Sequence, residues 1–303
     1  MDGLLDNELS FEHSQPSDAT NDIEERIEEQ QRNWKDMETD CLINVLGRVG
    51  MESLLLYVPF VCKSWHRASL NPMCWKTLIF PKIKDDRFDL DYTFRERLMD
   101  TYQIKKFSVT AFIKSIVDRS HGNATTLFLP EGCSEEALKY VADKCSALKQ
   151  LGLPADIRFE QSLAIQELIE KSKNLEYLLL RSFFNLKEVL AQVSLNCHNL
   201  LGLGIFNALI KEDEAMAIVT LLPKITHLFL RGAHMYQENL VTILQGCKQL
   251  VHLDVRDCIG FDEDDDEILK LASFITKFKC EGSTLYDYDD YPWPVDNDTD
   301  YSD

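Results

Sequence analysis

The chain has little positive charge and no long apolar segment. Of its 303 residues, 51 are Asp or Glu and only 32 are Lys or Arg, which gives a formal net charge of −19. Binding to nucleic acid or to an anionic membrane needs clustered basic side chains, so neither is expected as a main partner. The densest apolar run, Leu54 to Cys62, is far shorter than the roughly 20 residues of a membrane helix. The acidic N-terminus has no apolar signal core, and we expect a protein of the cytoplasm, the nucleus or both.

Sequence motifs of catalysis and metal binding are also missing. The sequence has no C-x-x-C, H-E-x-x-H or G-x-S-x-G and no glycine-rich phosphate loop. Its cysteines include Cys145, Cys197 and Cys247, which we interpret as reduced thiols that act as small buried hydrophobes. The acidic run 262–267 lacks the glycine and the distal glutamate of a calcium loop and fits a helix N-terminus better. We therefore expect no enzyme activity, no cofactor and no metal.

What the chain has instead is a short apolar phrase, L-x-x-L-x-L, that returns at nearly constant spacing. Its central residues lie 24, 27, 25, 25, 25 and 25 positions apart. They are Leu127, Leu151, Leu178, Leu203, Leu228, Leu253 and Phe278. The alternating end of the phrase suits a short strand, and the apolar residues ten, nine and six positions before each centre share one helical face. This period and phrase indicate leucine-rich repeats, whose stacking makes a curved parallel sheet with outer helices. The predicted fold class is an α/β solenoid over 77–281.

Three other parts of the chain do not follow this period. The interval from Leu78 to Leu127 is about twice the period and predicts helices near 94–102 and 112–117, so the arrangement of 81–123 stays open. The acidic ends, 1–32 and 282–303, lack apolar periodicity and are expected to be disordered.

The segment 33–76 reads as a small all-helical unit in front of the solenoid. Leu42 and Leu46 lie on one helical stripe, and the run 54–58 is apolar on every side of a helix. About forty residues rarely bury enough surface to fold alone, and a helix that is apolar all round needs cover on both sides. We therefore expect a partner on the side that the neighbouring helices leave open.

The motif Val61-Cys62-Lys63-x-Trp65, followed by Arg67, Asn71-Pro72 and Trp75, resembles the F-box. With the cysteine-bearing repeats behind it, the whole chain is similar to plant F-box/leucine-rich-repeat proteins. The family usually opens with Leu-Pro, whereas this chain has Met37-Glu38. Loss of that proline removes a pre-set helix start, so we expect weaker binding to the F-box partner.

The resemblance implies a substrate-recognition adaptor of a Skp–cullin–F-box ubiquitin ligase. In that interpretation the F-box docks a Skp-type adaptor protein and through it a cullin, the repeats hold a target protein, and the chemistry belongs to other subunits. The residues expected to contact the adaptor are Met37, Leu42, Leu46, Leu54, Val58, Val61, Cys62 and Trp65. The alternative is a non-ligase repeat scaffold for protein binding, in which the helical unit only caps the solenoid.

The expected target surface is the concave face, where the strand residues flanking the buried leucines should point. The predicted target-binding residues are Tyr177, Arg181, Phe206, His227, Phe229, Arg231, His252, Asp254 and Arg256. Aromatic residues and arginine are enriched at binding hot spots, and three arginines share one register. In so acidic a chain this stripe favours a target that is acidic or phosphorylated.

Overall fold

The structure is a computed structural model that describes residues 37–81, 93–157, 161–181 and 186–285. The predicted disordered segment 1–32 lies outside these ranges, as does the predicted tail from residue 286 onward.

Residues 39–75 form a compact set of short helices. The elements are α1 (Thr39–Leu46), α2 (Met51–Leu56), α3 (Val58–Val61), α4 (Lys63–Ser69) and a 3₁₀ turn (Pro72–Trp75). Gly50, with φ 80°, separates α1 from α2 in a backbone conformation that glycine adopts readily. Asn71 caps the 3₁₀ turn, since its Oδ1 accepts a hydrogen bond from the Met73 amide at 2.9 Å. We call 39–75 the helical module.

The repeats form one eight-stranded parallel sheet whose strand order follows the chain. The strands are β1 (Thr77–Ile79), β2 (Thr126–Phe128), β3 (Gln150–Gly152), β4 (Tyr177–Arg181), β5 (Gly202–Phe206), β6 (His227–Phe229), β7 (His252–Asp254) and β8 (Lys277–Lys279). The predicted central residue of each phrase pairs with that of the next, from Leu78 beside Leu127 to Leu253 beside Phe278. The seven leucines of this column are fully buried. The predicted α/β solenoid is confirmed.

Helices cover the side of the sheet opposite to the concave face. They are α5 (Phe94–Thr101), α6 (Val109–Ser120), α7 (Glu135–Lys144), α8 (Ser162–Lys171), α9 (Leu186–Asn196), α10 (Glu212–Leu221), α11 (Gln237–Gly246) and α12 (Asp266–Leu271). Cys145 and Cys247 occupy the C-cap positions of α7 and α11, and with Cys197 they are buried, as predicted. Burial raises the pKa of the Cys145 thiol to about 12, so it stays protonated. Asp265 caps α12, because its Oδ1 accepts the Ile268 amide at 2.9 Å.

The long interval between β1 and β2 contributes two helices with different roles. α6 packs beside α7 as the first outer helix, whereas α5 packs against α2 of the helical module. Tyr102, just after α5, donates a hydrogen bond to the carbonyl of Leu55 at 2.6 Å. Arg97 forms an ion pair with Glu52 at 2.7 Å and also donates to the Tyr57 hydroxyl. Within 54–58 the chain itself buries every residue except Tyr57, so the expectation that a partner covers this run is corrected for those buried residues.

Trp75 joins the helical module to the solenoid. Its side chain is 1% exposed, and its indole N–H donates to the Ser69 carbonyl at 2.7 Å. The guanidinium of Arg119, on α6, lies over the indole ring at 4.9 Å from its centre. The indole is thus fixed from both sides, by the module and by the first outer helix.

After each of the last four strands, the chain turns through a residue with positive φ. Asn207, Gly232, Asp257 and Gly282 have φ of 52°, 69°, 55° and 78° and are 25 residues apart. At these four positions glycine alternates with Asn or Asp for a steric reason. A Cβ on Gly232 would overlap Oδ1 of Asn207. A Cβ on Gly282 would meet Oδ1 of Asp257 in the same way.

Replacement of Gly232 by alanine tests this constraint. We expect Gly232→Ala to lower the free energy of unfolding by about 1–3 kcal/mol, because it combines an unfavourable φ with the overlap on Asn207. Gly47→Ala is the matched control, since Gly47 has φ −63° and its added Cβ would come no closer than 3.4 Å to another atom. Chemical denaturation measures both. Equal stability of Gly232→Ala and the wild type would contradict the constraint.

Candidate binding surfaces

Four of the residues expected to contact an adaptor lie inside the chain's own core. Leu42, Leu46, Leu54 and Val58 are 2%, 0%, 2% and 4% exposed. They pack among the module helices, and α5 closes the side of α2 that was expected to stay open. Since such side chains offer almost no area to a second protein, this part of the contact set is corrected. The resemblance identified the segment but did not separate its inward from its outward side chains.

Other apolar side chains of the module do point outward. Met37, Cys62 and Trp65 are half-buried, whereas Val61 is 54% exposed. The large exposed apolar residues around it are Tyr57, Phe60, Leu70 and Met73. Pro59, Phe60, Cys62 and Leu70 also line a groove of about 540 Å³ between α3 and α4. We call Tyr57, Phe60, Val61, Leu70 and Met73 the apolar module surface; several large exposed apolar side chains on so small a module are typical of an interaction site.

On the concave face, three aromatic rings lie directly over glycines. The ring of Phe128 covers Gly152, and that of Tyr177 covers Gly202, so that a Cβ on either glycine would overlap the ring. The ring of Phe206 lies over Gly204, with its nearest atom 3.0 Å from where a Cβ would stand. Glycine in a strand often marks such a close approach. The rings therefore lie close against the sheet, and we call Phe128, Tyr177 and Phe206 the aromatic floor.

Four rings, one of them Tyr177 of the aromatic floor, make a continuous row across β4, β6 and β7. The ring centres of Tyr177 and His227 are 5.8 Å apart, those of His227 and His252 are 6.2 Å apart, and those of His252 and Phe229 are 5.0 Å apart. Nε2 of His252 is buried without a hydrogen-bond partner among the described residues. Burial lowers the pKa of His252; Lys279, His227 and Lys277 lower it further, while Asp254 opposes them. We call Tyr177, His227, Phe229 and His252 the aromatic row.

The three arginines of the predicted stripe do not behave alike. Arg256 holds the carboxylate of Asp254 through two hydrogen bonds of 2.9 and 2.6 Å, and Arg231 binds Asp257 at 2.7 Å. Asp254 is itself buried, and although burial would raise its pKa, the hydrogen bonds and charge of Arg256 hold that pKa below its ordinary value. Arg181 is exposed and has no ion-pair or hydrogen-bond partner among the residues that the structure describes. Of the three arginines that share one register, two are therefore already paired within the chain.

A cavity of about 790 Å³ lies at the carboxyl ends of the strands, next to the aromatic floor. Phe128, Gly152, Leu179 and Phe206 give it apolar walls, and Arg181 stands in its lining.

In the ranges that the structure describes, no group of three or more His, Cys, Asp or Glu side chains could hold a metal ion. No helix in those ranges is long and apolar enough to cross a membrane.

Comparison with known proteins gives the relatives of this architecture. No protein-family model matches the chain. The Arabidopsis thaliana protein named F-box/LRR-repeat protein 23 is 28% identical over 238 residues, which cover 76% of this chain and 49% of that protein. F-box/LRR-repeat protein 22 of the same plant is 28% identical over 86% of this chain and 81% of its own length. F-box protein FBW2 is 27% identical over 75% of this chain and 68% of its own length.

The chain is a homologue of plant F-box/leucine-rich-repeat proteins. The similarity extends over most of the chain, in agreement with the solenoid that the structure shows. The aligned residues span about half the length of the first of these relatives, and the rest of that relative lies outside the alignment.

The contact between Arg256 and Asp254 predicts an effect on the free energy of unfolding. Arg256→Met removes both side-chain hydrogen bonds of the Asp254 carboxylate, which is only 9% exposed, and we expect a loss of about 1–3 kcal/mol in the free energy of unfolding. Arg181→Met is the matched control and should stay within about 0.5 kcal/mol of the wild type. Urea titration measures both. A control that loses as much stability as Arg256→Met would contradict the difference in pairing.

The aromatic row predicts a pH dependence of stability. The folded chain holds a proton on His252 more weakly than the unfolded chain does, so stability is lost as the pH falls below about 6.5, the ordinary histidine pKa. His252→Gln should reduce the fall in melting temperature between about pH 7.5 and 5.5. His234→Gln, which removes an exposed histidine outside the row, should retain the fall. If His252→Gln retains it as well, His252 is not its source.

Proposed function

We propose that this chain is the substrate-recognition subunit of a Skp–cullin–F-box ubiquitin ligase. The helical module binds a Skp-type adaptor protein and through it a cullin, and the concave face of the solenoid holds the target. The observation that carries the proposal is the apolar module surface, which is exposed on a module whose core is otherwise closed. Homologues named as F-box proteins support the same role.

The proposed mechanism is proximity, and it assigns no catalytic step to this chain. A target bound on the concave face and an adaptor bound on the module are held by one molecule, so a lysine of the target meets the conjugating subunits at high local concentration. The chain's own residues bind and orient, and the ubiquitin transfer belongs to other subunits. We also propose the cytoplasm or nucleus as the site of action, because all nine cysteines are free thiols, as is usual for reducing compartments.

One observation favours the alternative of a repeat scaffold without a ligase role. Because α5 covers α2 and four of the expected contact residues are buried, the module needs no partner to complete its core. In this alternative the module is an end cap of the solenoid and the target is bound without ubiquitination.

Co-purification with a Skp-type adaptor separates the two functions. Phe60 and Val61 are 61% and 54% exposed, so Phe60→Asp with Val61→Asp places two charges on the surface while leaving the core intact. We expect the wild type to form a stable one-to-one complex and the double variant to lose it, because each charge would have to be buried unpaired at the interface.

The control places the same charges on apolar residues elsewhere. Leu163 on α8 and Leu195 on α9 are 71% and 68% exposed, so Leu163→Asp with Leu195→Asp should bind the adaptor as the wild type does. A folded wild-type chain that does not bind the adaptor would support the scaffold. Equal binding by Phe60→Asp with Val61→Asp would remove the apolar module surface from the proposal.

A further inference from the structure

We propose that the cavity at the strand ends anchors one bulky apolar side chain of the target, while Arg181 binds an acidic or phosphorylated residue directly beside it. The inference rests on the proposed target-holding role of the concave face and defines the class of segment that this face would recognise.

One wall of the cavity is apolar because of how the strands pack there. The Phe128 ring lies close over Gly152 and the Phe206 ring close over Gly204, so two rings and Leu179 line this wall. Leu179 is half-buried on β4 and faces the same side of the sheet as Arg181. A volume of about 790 Å³ can admit a large side chain together with part of the backbone that bears it.

The charged side chains that line the cavity indicate that Arg181 would bind the acidic or phosphorylated residue of the target. The second cation, Arg231, is already ion-paired with Asp257 at 2.7 Å, so its charge is partly neutralised and attracts an incoming anion less strongly. Glu131 also lines the cavity, but it follows β2, two strands from β4, at a separation of about 10 Å from the strand that carries Arg181. Arg181 is therefore the one cation of the lining that is free, among the described residues, to make charge-assisted hydrogen bonds to a new carboxylate or phosphate.

The occupant is a protein segment because the surface continues past the cavity. Tyr177 stands two residues before Leu179, and Phe229 stands two residues before Arg231, so the aromatic row borders the cavity along the same strands. The row extends over β4 to β7, three strand spacings or about 14 Å. A ligand that fills the cavity and lies along the row has the length of several residues of extended chain, and the half-buried rings give it apolar contact area.

Degenerate synthetic peptides test this class directly. Octapeptide pools carry Phe, Leu or Ala at one fixed position and Glu, phosphoserine or Gln at the next, with random flanks, and their binding to the purified full chain is measured without any adaptor. We expect pools with Phe or Leu beside Glu or phosphoserine to bind at least about tenfold more tightly than pools with Ala or Gln. The tighter of the Glu and phosphoserine pools identifies the source of the anion.

Variants assign each preference to its residue. Arg181→Gln should abolish the preference for Glu or phosphoserine over Gln, whereas Lys277→Gln, the same change of charge on β8 four strands away, should retain it. Leu179→Ser should abolish the preference for Phe or Leu over Ala, and thermal unfolding verifies that each variant is folded.

Three results would overturn the inference: equal binding of all pools, a preference for Glu or phosphoserine that survives Arg181→Gln, and a preference for Phe or Leu that survives Leu179→Ser. Because no adaptor is present, these results are independent of whether the module binds one. Failure of the recognition class is thus distinguished from failure of the ligase role.

Discussion

The structure depends on one contact, repeated along the chain: the buried leucine at the centre of each strand packs against the same residue of the next strand. No repeat can bury this side chain alone, so each is stable only between neighbours. The ends of the column show what this means. Phe278, on the last strand, remains half-buried, whereas Leu78, on the first, is fully buried because the helical module and α6 close that end through Trp75. The module is therefore part of the same fold as the solenoid, whatever it binds.

The same stacking crowds the concave face, because parallel strands hold equivalent side chains about 4.8 Å apart. Large rings can share that spacing only where neighbouring positions are small. Gly152 and Gly202 meet this need, since each is covered by the ring of the preceding strand. Charges at this spacing pair with their neighbours, as Arg231 does with Asp257, which reduces the number available to a ligand. Crowding thus explains the close approach of the aromatic floor to the sheet, and among the described residues it leaves Arg181 as the one arginine of the predicted stripe without an ion pair.

The period of the sequence predicted the strands, their register and the buried positions, because each depends on apolar residues a fixed distance apart. Cys145 and Cys247 could be placed in the core by register alone. The packing of α5 on α2 could not be predicted, since Arg97 and Tyr102 contact Glu52 and Leu55 through polar groups about forty residues away in sequence and leave no apolar period. Likewise, the bidentate contact of Arg256 with Asp254 depends on side-chain orientation at the end of β7 and just after it. The F-box resemblance is carried by residues of this module, but a motif names positions and does not tell which of them face inward.

The two candidate surfaces lie on one continuous hydrophobic core, which runs from Leu42 in the module to Ile275 before the last strand. This matters for a proximity mechanism, because the gain in local concentration falls as the link between two binding sites becomes longer and more flexible. Here the link is the core itself, fixed at Trp75 between the module and α6. A target on the concave face would then be held at a set orientation to anything bound on the apolar module surface. Under the proposed function, the orientation would limit which lysines of a target can be reached, so this junction would contribute to selectivity as well as to stability.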